Sequence, residues 1–143
     1  MIYSKSVEYG IRALAHLAEA PDGGQCMARA IAEEEELPAF FLAKTLQTLA
    51  RHGLLRSRKG PTGGFSLNAP ANKIRLVDII EALDGLDALQ AESPDLPSFR
   101  AVRSTILGYL RSTTISDVVK HRARRRKAEE RKRAVRKTAR SRR

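Results

Sequence analysis

The chain has 143 residues, 42% of them hydrophobic, with a formal net charge of +11; that supports one modest core with extensions rather than several domains. No apolar run approaches the ~20 residues that span a bilayer, and the single cysteine excludes an intramolecular disulfide framework. The charge is unevenly placed: residues 120–143 hold fourteen Lys and Arg against two Glu, a net of +12, so the rest of the chain carries a net of −1.

In chain order, Val7, Ile11, Leu14 and Ala18 recur at helical spacing and predict a first helix over about Lys5–Glu19, stopped by Pro21-Asp22-Gly23-Gly24. The N-terminus reads as this amphipathic helix with no cleavage site, which points to a cytoplasmic protein. His16 has no second ligand at metal-binding spacing and reads as a surface or boundary histidine. Cys26 precedes the second helix. A thiol there can have a lowered pKa and react with oxidants, or it can serve as a small apolar staple of the helix start.

The second helix is predicted over Met27–Glu35, with Ala28, Ile31 and Ala32 inward and the run Glu33–Glu36 in solvent. The third begins at Pro38, a residue suited to a first helical position. Its stripe of Leu42, Leu46 and Leu49, with Phe41 and Thr45 beside it, should face a core. The opposite face carries Phe40, Ala43, Lys44, Gln47, Thr48 and Arg51. It fits base edges, where Gln bonds adenine and Lys bonds guanine or phosphate; it also fits an ordinary solvated face. His52-Gly53 ends the helix with a glycine cap.

Leu54, Leu55, Phe65 and Leu67 then supply two short strands around the loop Arg58-Lys59-Gly60-Pro61-Thr62-Gly63-Gly64. With Arg56, this loop is cationic, and its glycines allow close approach to a phosphate. Helix, turn, helix, strand, loop, strand is the plan of a winged helix-turn-helix, a shape that holds one helix in the major groove.

A fourth helix is expected over Leu76–Leu83, closed by Asp84-Gly85 and followed by a linker rich in acids and prolines. Another runs from Ser98 to Leu110 with the apolar band Phe99, Val102, Ile106, Tyr109 and Leu110, which must pack on a second subunit or back onto the first helix. Thr114-Ile115-Ser116-Asp117 is a capping signal for a last short helix holding Val118 and Val119. The basic tail has helix-forming residues but only Val135 as a larger aliphatic. It is predicted to be a disordered arm that neutralises phosphates without sequence preference. Gly60–Gly64 lacks the Gly-Lys-Ser/Thr ending of a phosphate-binding loop. There is no paired Cys or His spacing for zinc, and no nucleophile–base arrangement; no enzyme is expected.

The motifs together resemble the Rrf2 family of bacterial winged-helix transcriptional regulators (the IscR-, NsrR- and CymR-like proteins). The resemblance covers about Met1–Lys120. It rests on Tyr3-Ser4-Lys5 with Tyr9-Gly10-Ile11-Arg12-Ala13-Leu14, on Ile31-Ala32-Glu33, and on Leu37-Pro38-Ala39-Phe40-Phe41-Leu42-Ala43-Lys44. It continues through Gly53-Leu54-Leu55, Gly60-Pro61-Thr62-Gly63-Gly64-Phe65 and Val77-Asp78-Ile79-Ile80-Glu81-Ala82-Leu83-Asp84-Gly85, and closes with Leu110-Arg111-Ser112-Thr113-Thr114.

The resemblance implies a mainly α fold with a small β-hairpin: a DNA-binding domain over 1–85, a linker over 86–97, a dimerisation helix and short C-terminal helix over 98–119, and the tail. It implies a homodimer on double-stranded DNA with a palindromic operator, and repression. Pro38, Phe40, Phe41, Ala43 and Lys44 would lie nearest the bases, Lys59 and Gly60 at the wing tip, and Tyr3, Lys5 and Tyr9 near phosphates. Gln47, Thr48 and Arg58 complete the expected DNA-facing set, and Phe99, Val102, Ile106, Tyr109 and Leu110 the dimer seam. Ala43 replaces an acid carried by some members, so their operators do not transfer.

Many members hold an iron–sulfur cluster through three cysteines between the fourth helix and the dimerisation helix. Here Leu86–Arg100 contains no cysteine, with Ser93-Pro94-Asp95-Leu96-Pro97 in its place; several thiolates are required, so no cluster and no other cofactor is expected. No membrane contact is expected, and a small-molecule or protein effector is left open. The competing function is a non-specific nucleic-acid- or RNA-binding protein driven by the tail.

Overall fold

The computed structural model describes residues 3–21, 24–90 and 99–141. Helix α1 (Lys5–Glu19) starts where the Ser4 hydroxyl accepts from the Val7 N–H at 3.4 Å. Ser4 also donates its N–H to the Asp84 carboxylate at 2.9 Å, which ties the start of α1 to the end of α4 (Leu76–Leu83).

Helices α2 (Ala28–Glu35) and α3 (Ala39–Arg51) form the predicted helix pair. Their starts lie one residue later than expected: Met27 and Pro38 are extended N-cap residues rather than the first helical ones. Glu36 makes the turn between them in the left-handed region (φ 55), and Leu37 donates back to the Ala32 carbonyl at 2.8 Å.

The wing is an antiparallel pair, β1 (Leu55–Arg58) and β2 (Gly64–Leu67), in register Leu55↔Leu67 to Arg58↔Gly64. A reciprocal bridge adds Cys26 to its outer edge. Cys26 donates to the Phe65 carbonyl at 3.0 Å and accepts from the Phe65 N–H at 2.8 Å. A single 3₁₀ turn, Ala71–Lys73, leads into α4.

Beyond α4, the expected linker contains a short helix, α5 (Asp87–Gln90). The part of that linker with Ser93 to Pro97 lies outside the described residues. Helices α6 (Phe99–Ser112) and α7 (Ile115–Ser141) meet at a corner held by backbone bonds: Leu76 donates to Thr113 and Ile115 to Ile74, both at 2.9 Å. The Thr114–Asp117 cap forms as expected, with the Thr114 N–H donating to the Asp117 carboxylate at 2.9 Å. The core gathers the stripes of α1, α3 and α4, with Val7, Leu14, Ile31, Leu42, Leu46, Leu49, Ile79 and Ile115 fully buried. Each such side chain contributes about 1.5–3 kcal/mol by leaving water.

Three expectations need correction. Leu110, expected in the dimer seam, is buried in its own subunit's core, because α6 packs against α4. Residues 120–141, expected to be a disordered arm, continue α7 as helix. The cap at Thr114–Asp117 nucleates that helix, and no glycine or proline follows Gly108 to break it. Finally, Glu35 is not solvated with its acidic neighbours but only 9% exposed.

The partners of Glu35 explain its burial. Its Oε1 accepts from Arg122 Nη2 at 2.6 Å and faces His16 Nδ1 at 3.0 Å, and Arg12 lies 3.6 Å from Oε2 while also donating to the Glu35 carbonyl. Arg122 reaches Glu19 at 3.1 Å, and Arg126 reaches the same carboxylate at 3.4 Å. His16 thus lies at the boundary of the fold, one of the two positions expected for it. It belongs to an ion cluster that joins α1, α2 and the first half of α7, and the basic tail begins as part of the folded body.

Burial alone would push the Glu35 carboxyl up; the hydrogen bonds and charges of Arg122 and His16 more than offset this and hold it below its ordinary value. A carboxyl depressed in the folded state adds stability above its unfolded pKa, and that stability fades as pH falls through the folded value. Glu35→Gln should therefore lower stability at neutral pH by about 3 kcal/mol, measured by urea unfolding. Between about pH 5 and 3 the wild type should lose part of this advantage over the variant; a constant gap across that range would refute the assignment.

Candidate nucleic-acid interface

Helix α3 divides cleanly along its length. Leu42, Leu46 and Leu49 are fully buried and Thr45 nearly so, its hydroxyl donating to the Phe41 carbonyl at 3.0 Å. These residues lock the helix to the core. The opposite side exposes Phe40, Lys44, Gln47 and Arg51, with Ala43 and Thr48 half-buried at its margins and Pro38 exposed at its start.

Within that exposed side the side chains order one another. Lys44 Nζ lies 4.6 Å from the centroid of the Phe40 ring, one turn earlier, a cation–π contact that steers the ammonium toward the helix start. The Thr48 hydroxyl donates to the Lys44 carbonyl at 3.1 Å and accepts from Arg51 at the same distance. Phe40 is 76% exposed, a large apolar ring held in water at the tip of the helix.

Phe41 and Tyr9 were expected at bases and phosphates. They also meet each other, their rings edge to face with centroids 5.6 Å apart at 89°, while Phe41 stays 41% exposed. Tyr9 is half-buried, and the pair braces α3 against α1. Tyr3 and Lys5 are exposed at the start of α1, with Lys5 3.5 Å from Glu8.

At the wing, Arg58, Lys59 and Gly60 are all exposed, and Gly60 turns the hairpin at φ 103. The base of the wing has a brace that the sequence reading missed. Asn68 donates to the Gly53 carbonyl at 2.8 Å and accepts from Arg56 Nε at 2.7 Å, so the end of α3 and the end of β2 are clipped together. Its one sequence signal is an asparagine just past a strand, a common turn residue.

The apolar band of α6 separates in the structure. Phe99, Val102 and Tyr109 are 48%, 50% and 61% exposed, whereas Ile106 leans on the core and Leu110 is inside it. The exposed members, with Ile106, follow the 3-4-3 spacing of a helix–helix seam.

Cys26 sits half-buried in its backbone bridge, and burial first, then the charge of Glu34, pushes its thiol up. That is opposite to the shift that makes a thiol reactive. The donor set also fails to fit an iron–sulfur cluster. This cysteine lies against the wing, it is the chain's only one, and no group of three or more His, Cys, Asp or Glu among the described residues could hold a metal ion.

Residues 3–121 match the profile of the Rrf2 family, described as iron-dependent transcriptional regulators. A protein of Aquifex aeolicus (strain VF5), bearing the name of an HTH-type transcriptional regulator, is 33% identical over 133 residues, covering 83% of this chain and 92% of that relative. Among solved structures, CymR (YrzC), the global cysteine regulator of B. subtilis, aligns with a TM-score of 0.74 at 26% identity over 85% of this chain and 98% of its own. T. potens IscR aligns with a TM-score of 0.71 at 29% identity, over 85% and 88%.

The bridge between Cys26 and the wing depends on Gly64. An added Cβ there would stand 2.6 Å from the Cys26 carbonyl oxygen, at φ 148, whereas at Gly60 it would meet nothing within 4 Å. Gly64→Ala should cost about 2 kcal/mol or more, and Gly60→Ala nearer 1 kcal/mol from backbone strain alone. Thermal unfolding of the two variants checks this; equal losses would show that the close approach at Cys26 is unimportant.

Proposed function

The chain belongs to the Rrf2 family of transcriptional regulators, and on that premise we propose that it is a sequence-specific repressor that binds a palindromic operator as a homodimer without an iron–sulfur cluster. Helix α3 enters the major groove with Phe40, Lys44 and Gln47 toward the bases, and Pro38, Ala43, Thr48 and Arg51 at the edges of the contact. Gln47 reads adenine, Lys44 reads guanine or phosphate, and the Phe40 ring meets a thymine methyl. Arg58, Lys59 and Gly60 follow the wing into the minor groove, and Tyr3 and Lys5 approach the backbone. The observation that carries this reading is the division of α3: its leucines are fully buried while the polar side beside a cationic wing stays open.

Phe99, Val102, Ile106 and Tyr109 pair two copies through α6. The two α3 helices then present inverted half-sites about one helical turn apart, or a multiple of that. The outer part of α7, residues 127–141, is exposed on every side and carries seven Lys and Arg against two Glu. It adds phosphate neutralisation with no base preference. The body, with a net of −1 over residues 1–119, owes its specificity to local placement. No described helix is long and apolar enough to cross a membrane, which accords with a cytoplasmic regulator.

Selection from a random DNA pool should return an inverted repeat, preferred by about 10³ or more over random sequence. Lys44→Ala and Gln47→Ala should each cost about 1–3 kcal/mol of operator affinity and relax preference at their own positions. Removing residues 127–143 should flatten the salt dependence while leaving the selected sequence unchanged. A pool with no enriched motif would instead establish the tail-driven, non-specific binder.

Tyr109→Glu should shift the protein to monomer in sedimentation and reduce operator affinity with the unfolding midpoint unchanged. A variant that stays dimeric, or a wild type that sediments as a monomer at micromolar concentration, would remove α6 as the seam.

A further inference from the structure

Two of the clefts lined by described residues lie away from α3 and the wing and differ in their lining. The larger, about 520 Å³ between α1 and α7, is bordered by Arg12 and Arg122, but Glu35 and Glu19 already take those guanidinium groups. The smaller, about 320 Å³, lies between α5 and α6; its described lining includes Leu89, Arg103, Ser104, Leu107 and Arg111, with Arg100, which already has a partner, at its rim, and none of these described residues is acidic. The five α6 residues fall at i, i+3, i+4, i+7 and i+11, one face of the helix. It adjoins the Phe99, Val102 and Tyr109 stripe without sharing a residue with it.

The decisive feature is Arg103. Its Nε is buried, yet it has no hydrogen-bond partner. An arginine cannot shed its charge to relieve this, and an unpaired buried donor is unfavourable unless something arrives to accept from it. Leu89 and Leu107 give the same cleft an apolar floor. Cations over an apolar floor, in a volume at the small end of ligand sites, select a compact molecule with an oxyanion and a hydrocarbon part.

We propose that the α5–α6 cleft binds a small organic anion, its carboxylate or phosphate oxygens accepting from Arg103 and Arg111 and its hydrocarbon part lying on Leu89 and Leu107. The ligand bridges α5 to the helix that carries the dimer stripe. On the reading of α6 as the seam, occupancy therefore changes how two copies associate, which makes the cleft the effector site.

The test uses the full chain without DNA, so it stands or falls independently of operator binding. Amide resonances are followed while hexanoate, adipate, butyl phosphate or inorganic phosphate is added to about 10 mM, with hexanamide as the neutral control. At least one organic anion should give saturable shifts centred on Ser104 and Leu107, and hexanamide should not. The ranking of carboxylates against butyl phosphate names the oxyanion, and weaker binding of inorganic phosphate establishes the hydrocarbon contact. Arg103→Gln should weaken binding roughly tenfold. Arg111→Gln, an exposed change that leaves the fold alone, should weaken it several-fold. Shifts confined to residues 127–141, equal binding of hexanamide, unchanged affinity in both variants, or no response to any anion would each overturn the proposal. Sedimentation with and without the tightest anion then reads the effect on association.

Discussion

One buried carboxylate holds the parts of this protein in register. Glu35 ends α2, immediately before the left-handed turn that aims α3, and it is gripped by Arg12 and His16 of α1 and Arg122 of α7. A carboxylate this far from water is tolerated only with such a set of partners. The requirement runs both ways: α7 must lie along α1 for Arg122 to arrive, and α2 must end at Glu35 for the turn to follow. The geometry of the helix pair is therefore coupled to a helix that begins eighty residues later in the chain.

The same cluster changes the meaning of the basic C-terminus. Arg122 and Arg126 neutralise acids of the body, whereas residues 127–141 are exposed throughout. The tail is two things in sequence: an ionic anchor, then a cationic helix exposed on all sides. This allows a near-neutral reading domain and a strong non-specific attraction to coexist in one chain, each with its own salt dependence.

The candidate interface follows a related economy. Helix α3 is held by its three leucines, by the Phe41–Tyr9 ring contact and by the turn at Glu36. The wing is held by the Asn68 clip and the Cys26–Phe65 bridge. Every one of these restraints lies behind or beside the outward side chains. Phe40, Lys44, Gln47, Arg58 and Lys59 can therefore be presented on a rigid frame, which is what accurate placement against a ligand requires.

Apolar periodicity, two glycine stops and a capping box were legible without coordinates, and they located α1, α3, α4, the hairpin and the start of α7 to within a residue or two. These signals are local: each is set by residues a few positions apart, through helical or strand geometry and cap chemistry. What the fold alone decided is non-local. Glu35 looked like its three acidic neighbours, and Leu110 like its fellows in the apolar band. In each case the outcome turned on which distant element packed against the residue: α7 on Glu35 and the protomer's own core on Leu110. Pattern along a chain sets which face of an element is apolar; only packing sets which element covers it, and so which charge and which leucine are buried.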